Sequence, residues 1–545
     1  MRRPHPKGHT LIELMATVSM VGILTSLSVP AYKQQTCRAK QAEAITALST
    51  LSRLEWAAYI ETTAFVPLDA TAQGTAAPVN PLGFNGATPK SRHGMEFVQT
   101  ALKAGAVAVV TDGNTPAPAG VTTVIVPKVP AALSFLSEAM HGFPSWKMRL
   151  LGVTGTNGKT TSTHLLEAMA QANGEKAGFI GTTAIRVDRQ EQKTAHTTPP
   201  ADLLSEVLGT MVGRGVTTCA MEVSSHALDQ QRVEGLRYRG AIFTNLTQDH
   251  LDYHQTIESY FNAKLRLFSE LIPKDGVGVL NADDPMVATV AARARCKTLS
   301  FSATGQPSDV RAAQTRRSTA GTEIDVDGAF GKFTLKTPLV GTYNVANILG
   351  AAALHLATGT ALAAVVAGAG ALARVPGRLD AVIHPRGAHV LVDYAHTDDA
   401  LARALDAVKP YVAAKGRLFV VFGCGGDRDA GKRPRMGEAA ALRADVVVVT
   451  ADNPRSEKPE TIAEAIVAGI QKTGMQKTAS VDGRGFLVEL DRKVAIGLAV
   501  RAARRGDVVL LAGKGHETEQ QFADRKIPFD DRLVAQEAMA GMDDA

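Results

Sequence analysis

The densest chemistry in the chain lies in Leu150-Leu-Gly-Val-Thr-Gly-Thr-Asn-Gly-Lys-Thr-Thr161. An apolar run ends in a Gly-rich turn, and Lys159, Thr160 and Thr161 follow. Backbone N–H groups in such a turn converge on an anion, and a helix N-terminus behind it adds partial positive charge. Lys159 has the reach for the outer phosphates of a nucleotide, and the Thr160 hydroxyl can hold Mg²⁺. Gly155 and Gly158 let the main chain approach phosphate without a Cβ in the way. The strict pattern G-x-x-x-x-G-K-[ST] is broken at Val153, where its first Gly would stand. The competing reading is a Gly-rich strand-to-helix turn with an exposed lysine.

Two further clusters carry polar chemistry. Ala220-Met-Glu-Val-Ser-Ser-His226 sets Glu222 at the end of an apolar strand, and Thr244-Asn-Leu-Thr-Gln-Asp-His-Leu-Asp-Tyr-His254 gathers acids and histidines after another. Hard oxygen ligands beside bound phosphates suit Mg²⁺. Zinc is a weaker alternative, since no Cys or spaced partner accompanies these histidines. A polar loop cap is the bland one.

Residues of this kind need strand ends and turns to position them, and the chain supplies both. From Arg149 to about Ala373, β and α signals alternate, with strands expected at 150–153, 217–222, 241–244 and 277–281. A second alternating block begins at Pro376-Gly-Arg-Leu-Asp380, with strands expected at 390–393, 418–422, 446–450 and 508–512. The alternation predicts mainly parallel sheets covered on both faces, with ligands at the strand ends. Before Arg149, a helix near Gly94, strands near 106–110 and 121–126 and a helix over 131–140 make a small α/β piece. At 545 residues, 45% hydrophobic and 21% charged, the chain is a multidomain globular protein. The net charge of +6 comes from scattered Lys and Arg, and aromatics are only 5%, so anionic substrates explain it better than a nucleic-acid groove. Cys37, Cys219, Cys296 and Cys424 form no C-x-x-C pair and fit a reducing compartment.

Ordered motifs now make a resemblance specific. The loop Thr154–Thr161, Glu222-Val-Ser-Ser-His226, Asn245–His254, Tyr260-Phe-Asn-Ala-Lys264, Tyr343-Asn-Val-Ala-Asn347, Pro376-Gly-Arg378, Asp393-Tyr-Ala-His-Thr397 and Gly423–Asp429 together resemble the Mur ligases. The resemblance runs from about Gly94 to the C-terminus. It implies an α/β Mur ligase architecture, with a P-loop ATPase-like central domain (149–374) and a Rossmann-like C-terminal domain (375–545). It implies ATP held by Gly155, Thr156, Asn157, Gly158, Lys159, Thr160, Thr161, Asn347, Arg378, Asp393 and His396. Mg²⁺ would be served by Thr160, Glu222, His250 and a carbamylated Lys264, and Lys159, Lys264, Glu222 and His250 would be the catalytic set. Thr197, Thr198, Ser224, Gln230 and Arg232 would hold UDP-N-acetylmuramoyl-dipeptide; His196 stands where the family usually has Asn, and Asp398 where Pro is common. Asp452-Asn-Pro-Arg455 matches the signature of the branch that adds meso-diaminopimelate. Diaminopimelate differs from lysine by a second carboxylate, which an arginine can grip bidentately. Arg428, Asp452, Asn453, Pro454, Arg455, Gly513 and Glu517 would make that site, with Glu517 meeting the distal ammonium. The implied activity is ATP-dependent amide-bond formation through an acyl phosphate, in a monomer. Folylpolyglutamate synthetase, of the same superfamily, is the alternative, and Asp452–Arg455 argues against it.

The N-terminus has another character. Arg2, Arg3 and Lys7 precede Gly8, and an apolar run broken only by Glu13 reaches Pro30. This resembles a type IV pilin or pseudopilin leader, with cleavage expected after Gly8 and an assembly role for Glu13, although His9 replaces the usual Phe. Residues 1–65 would be leader and helix, 66–89 a linker, and 90–148 part of a UDP-binding domain whose Asp-Ser-Arg motif is absent here. The catalytic part would be cytoplasmic, with an inner-membrane tether through residues 10–30. A pilin-like structural subunit is the reading from another functional class, but a pilin has no use for a nucleotide loop.

Overall fold

Strands buried on both faces need near-continuous apolar runs, and two groups of such runs build the two large sheets. A computed structural model describes residues 98–99, 108–114, 119–194, 196–318 and 320–542. The expected leader and helix at 1–65, with Gly8, His9 and Glu13, the linker at 66–89 and Cys37 lie outside these residues. Among the described residues no helix is long and apolar enough to cross a membrane.

These residues fall into two compact units. One takes in the described chain up to Leu150 together with Thr198–Thr217 and Ser224–Tyr238. Its strands Ala108–Thr111 and Thr122–Ile125 pair in parallel, and its helix Val129–Met140 packs on the helix Ala201–Gly213. Glu138 is buried in this unit, where the Ser145 hydroxyl donates to its Oε2 at 2.6 Å. Burial pushes its carboxyl up to about 7, against the lowering effect of the Ser145 and Ser205 hydrogen bonds.

The other unit, Leu151–Thr197, Thr218–Val223 and Arg239 onward, holds both large sheets. In the first, the strand Arg149–Thr154 lies between Thr218–Glu222 and Gly240–Phe243, followed outward by Val277–Asn281 and Lys297–Ser302. The helices Lys159–Ala172 and Thr342–Ala357 bury Leu165, Leu166, Met169, Ile348, Leu349 and Leu354 in one core with the sheet residues Leu151, Val153 and Ile242. Each such side chain contributes roughly 1.5–3 kcal/mol on leaving water. The second sheet has six strands, and all but Asp380–Ile383 run parallel. Separate cores line it: Leu401, Leu405, Met436 and Ile466 lie in one, Ile496, Ala499 and Val534 in the other.

One expectation fails. The β–α alternation does not run on to Ala373. Val310–Ser318, Gly321–Gly328 and Phe333–Thr337 form an antiparallel meander at one edge of the first sheet. Only one face of it is buried, by Ile324, Val326 and Leu335, while Arg316 on the other face pairs with Glu323 at 3.0 Å and Asp325 at 2.6 Å. Half-buried antiparallel strands alternate apolar and polar residues, and so lack the apolar runs of the parallel ones. At the other edge, Ile185–Val187 and Gln190–Gln192 form a hairpin whose turn residues Asp188 and Arg189 both have positive φ.

Candidate active site

The strand Arg149–Thr154 stops at Gly155, whose φ is 144°. A Cβ there would run into the Thr244 hydroxyl, and one on Gly158, at φ 89°, would meet the Asn347 amide oxygen. Glycine is therefore required twice by close approach as well as by backbone angle. The loop is fastened from outside. Thr156 N donates to Asn245 O at 2.9 Å, Asn157 N to Asn245 Oδ1 at 2.9 Å, and the Thr244 hydroxyl to Asn157 O at 2.6 Å. The helix Lys159–Ala172 begins directly after Gly158, which puts Thr160 and Thr161 in its first turn.

Two lysines share this loop. Lys159 Nζ donates to the carbonyls of Gly155 at 3.0 Å and Thr156 at 2.9 Å, and Lys264 Nζ donates to the same Gly155 carbonyl at 2.8 Å. Lys264 is 1% exposed on the helix Ile257–Arg266, with its ammonium 4.3 Å from the Tyr260 ring centroid. Burial, and then the charge of Lys159, hold its amine well below the ordinary lysine value. Burial also lowers Lys159, but Glu222 and Asp249 partly restore it. Glu222, fully buried at the end of its strand, accepts from Thr182 N at 2.8 Å and the Thr182 hydroxyl at 3.1 Å, and that hydroxyl meets Thr197 Oγ1 at 3.1 Å. His250 sits at φ 52°, where its N–H donates to Asp249 Oδ1 at 2.8 Å. Burial lowers its imidazole while Asp249 raises it, and the net shift is downward.

The chain after residue 340 closes around the loop. Arg378 donates to the Thr160 hydroxyl at 3.2 Å and lies 4.9 Å from the Tyr394 ring centroid. The Thr247 hydroxyl donates to Asp399 at 3.1 Å. Asn347 Nδ2 donates to Asn344 at 2.9 Å. Asp393 spends its carboxylate on Leu379 N, Ala395 N and the Tyr343 hydroxyl. Half-buried His396 directs Nδ1 at Tyr394 O, 2.8 Å away, and so carries its proton there.

A second cluster forms at the strand ends of the six-stranded sheet. Arg455, at φ 51°, donates through Nη1 to Gly426 O at 2.7 Å and through its backbone N to Gln521 O at 3.1 Å. A Cβ on Gly425 would stand 3.0 Å from Arg455 Nη1 and 3.8 Å from Arg428 Cγ, so the two arginines flank one glycine. Asp452, Asn453 and Pro454 are buried just before Arg455, and Asn453 Nδ2 donates to Glu517 Oε2 at 2.8 Å. Gly513, at φ 110°, donates its N–H to Asp393 O at 3.1 Å, which joins this cluster to the strand that ends at Asp393. Non-glycine residues at positive φ are uncommon and concentrate at functional sites; His250 and Arg455 are two of them.

In the first unit, Thr198 Oγ1 accepts from Ser224 N at 3.0 Å, and Arg232 donates to Thr198 O at 2.8 Å and Gln230 Oε1 at 2.9 Å. Ser224 Oγ caps the helix Ser225–Asp229 by accepting from Ala227 N at 3.2 Å. Four contributors escaped the sequence reading. Asp249 and Tyr260 lie inside motifs that give them no role of their own, Lys514 stands between Gly513 and Glu517, and Thr182 carries no local signal.

Among the described residues no group of three or more His, Cys, Asp or Glu could hold a metal alone. The donors at the loop are instead a buried carboxylate, a threonine hydroxyl and an imidazole. That set fits Mg²⁺, which takes one or two carboxylates and completes its shell with water and substrate phosphates.

Comparison with known proteins agrees with this geometry. The Mur ligase middle domain model matches residues 153–355, and the Mur ligase, glutamate ligase domain model matches residues 377–515. A UDP-N-acetylmuramoyl-L-alanyl-D-glutamate–2,6-diaminopimelate ligase of Geobacillus thermodenitrificans is 42% identical over 82% of this chain and 89% of its own. One of the same name from Gloeobacter violaceus is 45% identical over 82% of this chain and 88% of its own. A solved structure of a ligase of that name superposes with a TM-score of 0.60 at 33% identity, covering 82% of this chain and 89% of the other. With both domain models matched in order across the loop and the arginine cluster, the chain belongs to the Mur ligase family.

Proposed function

We propose that the chain is the ATP-dependent ligase that joins meso-diaminopimelate to UDP-N-acetylmuramoyl-L-alanyl-D-glutamate in peptidoglycan precursor synthesis. The γ-phosphoryl group of ATP passes to the side-chain carboxylate of the D-glutamate, giving an acyl phosphate and ADP. The diaminopimelate amine attacks the acyl carbon, the tetrahedral intermediate expels phosphate, and an amide remains.

Gly155 to Thr161 cradle the phosphates with backbone N–H groups, and Lys159 leaves its loop carbonyls to neutralise charge on the group in transfer. Thr160, Glu222, His250 and Lys264 would hold Mg²⁺, which when bound supplies positive charge against the phosphates. Burial lowers the Lys264 amine, and the neutral amine is the form that adds CO₂ with loss of a proton, so Lys264 would be a carbamate in the active enzyme and ligate as a carboxylate. Asn347, Arg378, Asp393 and His396 bear on the nucleotide. Thr197, Thr198, Ser224, Gln230 and Arg232 hold the UDP-sugar dipeptide. Catalysis belongs where ATP is, in the cytoplasm; a tether through residues 10–30 and a monomeric state extend the same reading.

The observation that carries the choice of amino acid is the Asp452–Arg455 turn. Its arginine is held at positive φ, with Arg428 on the other side of Gly425. The Arg455 guanidinium and the Glu517 carboxylate match in charge the distal carboxylate and ammonium of diaminopimelate, and lysine lacks the first of these. Phosphate release should therefore require ATP, the UDP-dipeptide and diaminopimelate together, with L-lysine a poor replacement. Arg455→Ala should raise KM for diaminopimelate roughly ten- to a hundredfold, the loss of a charged hydrogen bond worth about 1.5–3 kcal/mol, and leave KM for ATP nearly unchanged. Equal use of both amino acids by the unaltered enzyme overturns the assignment.

A further inference from the structure

Lys514 lies beneath the amino-acid cluster with its side chain fully buried. Its ammonium donates to Asn453 Oδ1 at 3.0 Å and to Glu517 Oε2 at 3.2 Å, and stands 3.7 Å from Asp452 Oδ1. Each of its neighbours is thus a residue assigned above to diaminopimelate, yet Lys514 itself is sealed from any ligand. We infer that Lys514 is a positioning residue for amino-acid recognition: it fixes the orientation of Asn453 and Glu517, and with them the oxygen offered to the substrate's distal ammonium. This rests on the diaminopimelate reading and deepens it.

A lysine ammonium only donates, so the Asn453 side chain must turn its oxygen toward it. Gln521 N donates to the same oxygen at 3.0 Å, which removes the flipped alternative. Asn453 Nδ2 is then forced toward Glu517 Oε2. That oxygen now accepts from both Asn453 and Lys514, and among the described residues Oε1 of Glu517 takes no hydrogen bond. The carboxylate is held on one side and left open on the other.

Charge points the same way. Around Lys514 stand Asp452 and Glu517, and beyond them the fully buried pair Arg492 and Asp531. Of these three acids Glu517 is the only one not buried. Without Lys514, Asp452 and Glu517 would face each other with no cation between them, and like charges at that range disfavour ionisation of both. The site would lose its held carboxylate and part of its charge together.

The test is Lys514→Met in the full chain, with steady-state kinetics for ATP, diaminopimelate and L-lysine and a thermal melt. The expected result is a KM for diaminopimelate raised about tenfold or more, a KM for ATP within about twofold, and a lowered preference for diaminopimelate over lysine. Lys514→Met combined with Glu517→Gln should be little worse than Glu517→Gln alone, because the lysine acts through that carboxylate. An unchanged KM for diaminopimelate, an equal loss for all substrates, or additive losses in the double variant would overturn the inference. Should Lys514→Met not fold, Lys514→Gln, which keeps a donor group without the charge, takes its place, and failure of both to fold would make Lys514 a core residue and overturn the inference too. An unaltered enzyme that does not use diaminopimelate would instead sink the function proposed above, a result visible before any variant is made.

Discussion

Lys159 and Lys264 meet on one carbonyl oxygen, that of Gly155. Neither packs the core of a sheet through its ammonium, so the two test chemistry more than folding. Lys159→Ala should abolish ligation with the thermal melt unchanged within about 0.5–1 kcal/mol, as for a substitution that opens no cavity. Phosphate release near the unaltered rate with every substrate present would remove Lys159 from the phosphate site. Lys264→Ala should also lose activity, and bicarbonate should not restore it, whereas formate or acetate should restore part by standing in for the missing carboxylate. Full activity in that variant would retire the carbamate. Intact mass spectra of the native enzyme, taken with and without bicarbonate, read the modification directly.

At the scale of the element, the nucleotide loop is a seat cut to the size of glycine. Gly155→Ala would place a methyl group on the Thr244 hydroxyl at a backbone angle that side chains avoid, a strain of about 1–3 kcal/mol. Affinity for a non-hydrolysable ATP analogue should fall about tenfold or more, measured by calorimetry, and an unchanged affinity would show that the loop can shift without consequence. Much of this element was legible beforehand. The apolar runs ending in Val153, Glu222 and Asp393 announced strands, and the glycines and Lys159 announced the turn, because each signal is local. The meander from Val310 to Thr337 was not legible, since its buried residues alternate with arginines and acids and leave no apolar run. Thr182 and Lys514 were not legible for a different reason. One threonine between small residues and one lysine between two glycines acquire meaning only from what folds against them, Glu222 in one case and Asn453 with Glu517 in the other.

At the scale of the whole molecule, the partners that fasten the nucleotide loop, Thr244, Asn245, Asn347 and Arg378, all belong to the same compact unit and lie far beyond residue 89. Removing residues 1–89 should leave affinity for the ATP analogue unchanged and improve solubility, since it takes away the apolar run of residues 10–30. Calorimetry of both forms with the UDP-dipeptide completes the comparison. Tight binding by the intact chain that disappears on removal would make the first 89 residues part of the enzyme. The grip on Arg455 and Asn453 has its own consequence in time. Both are held by the main chain of Gln521, which leaves the ribosome well after the turn it secures. On the proposed reading, a growing chain can therefore complete its phosphate loop before the turn that chooses the amino acid is secured.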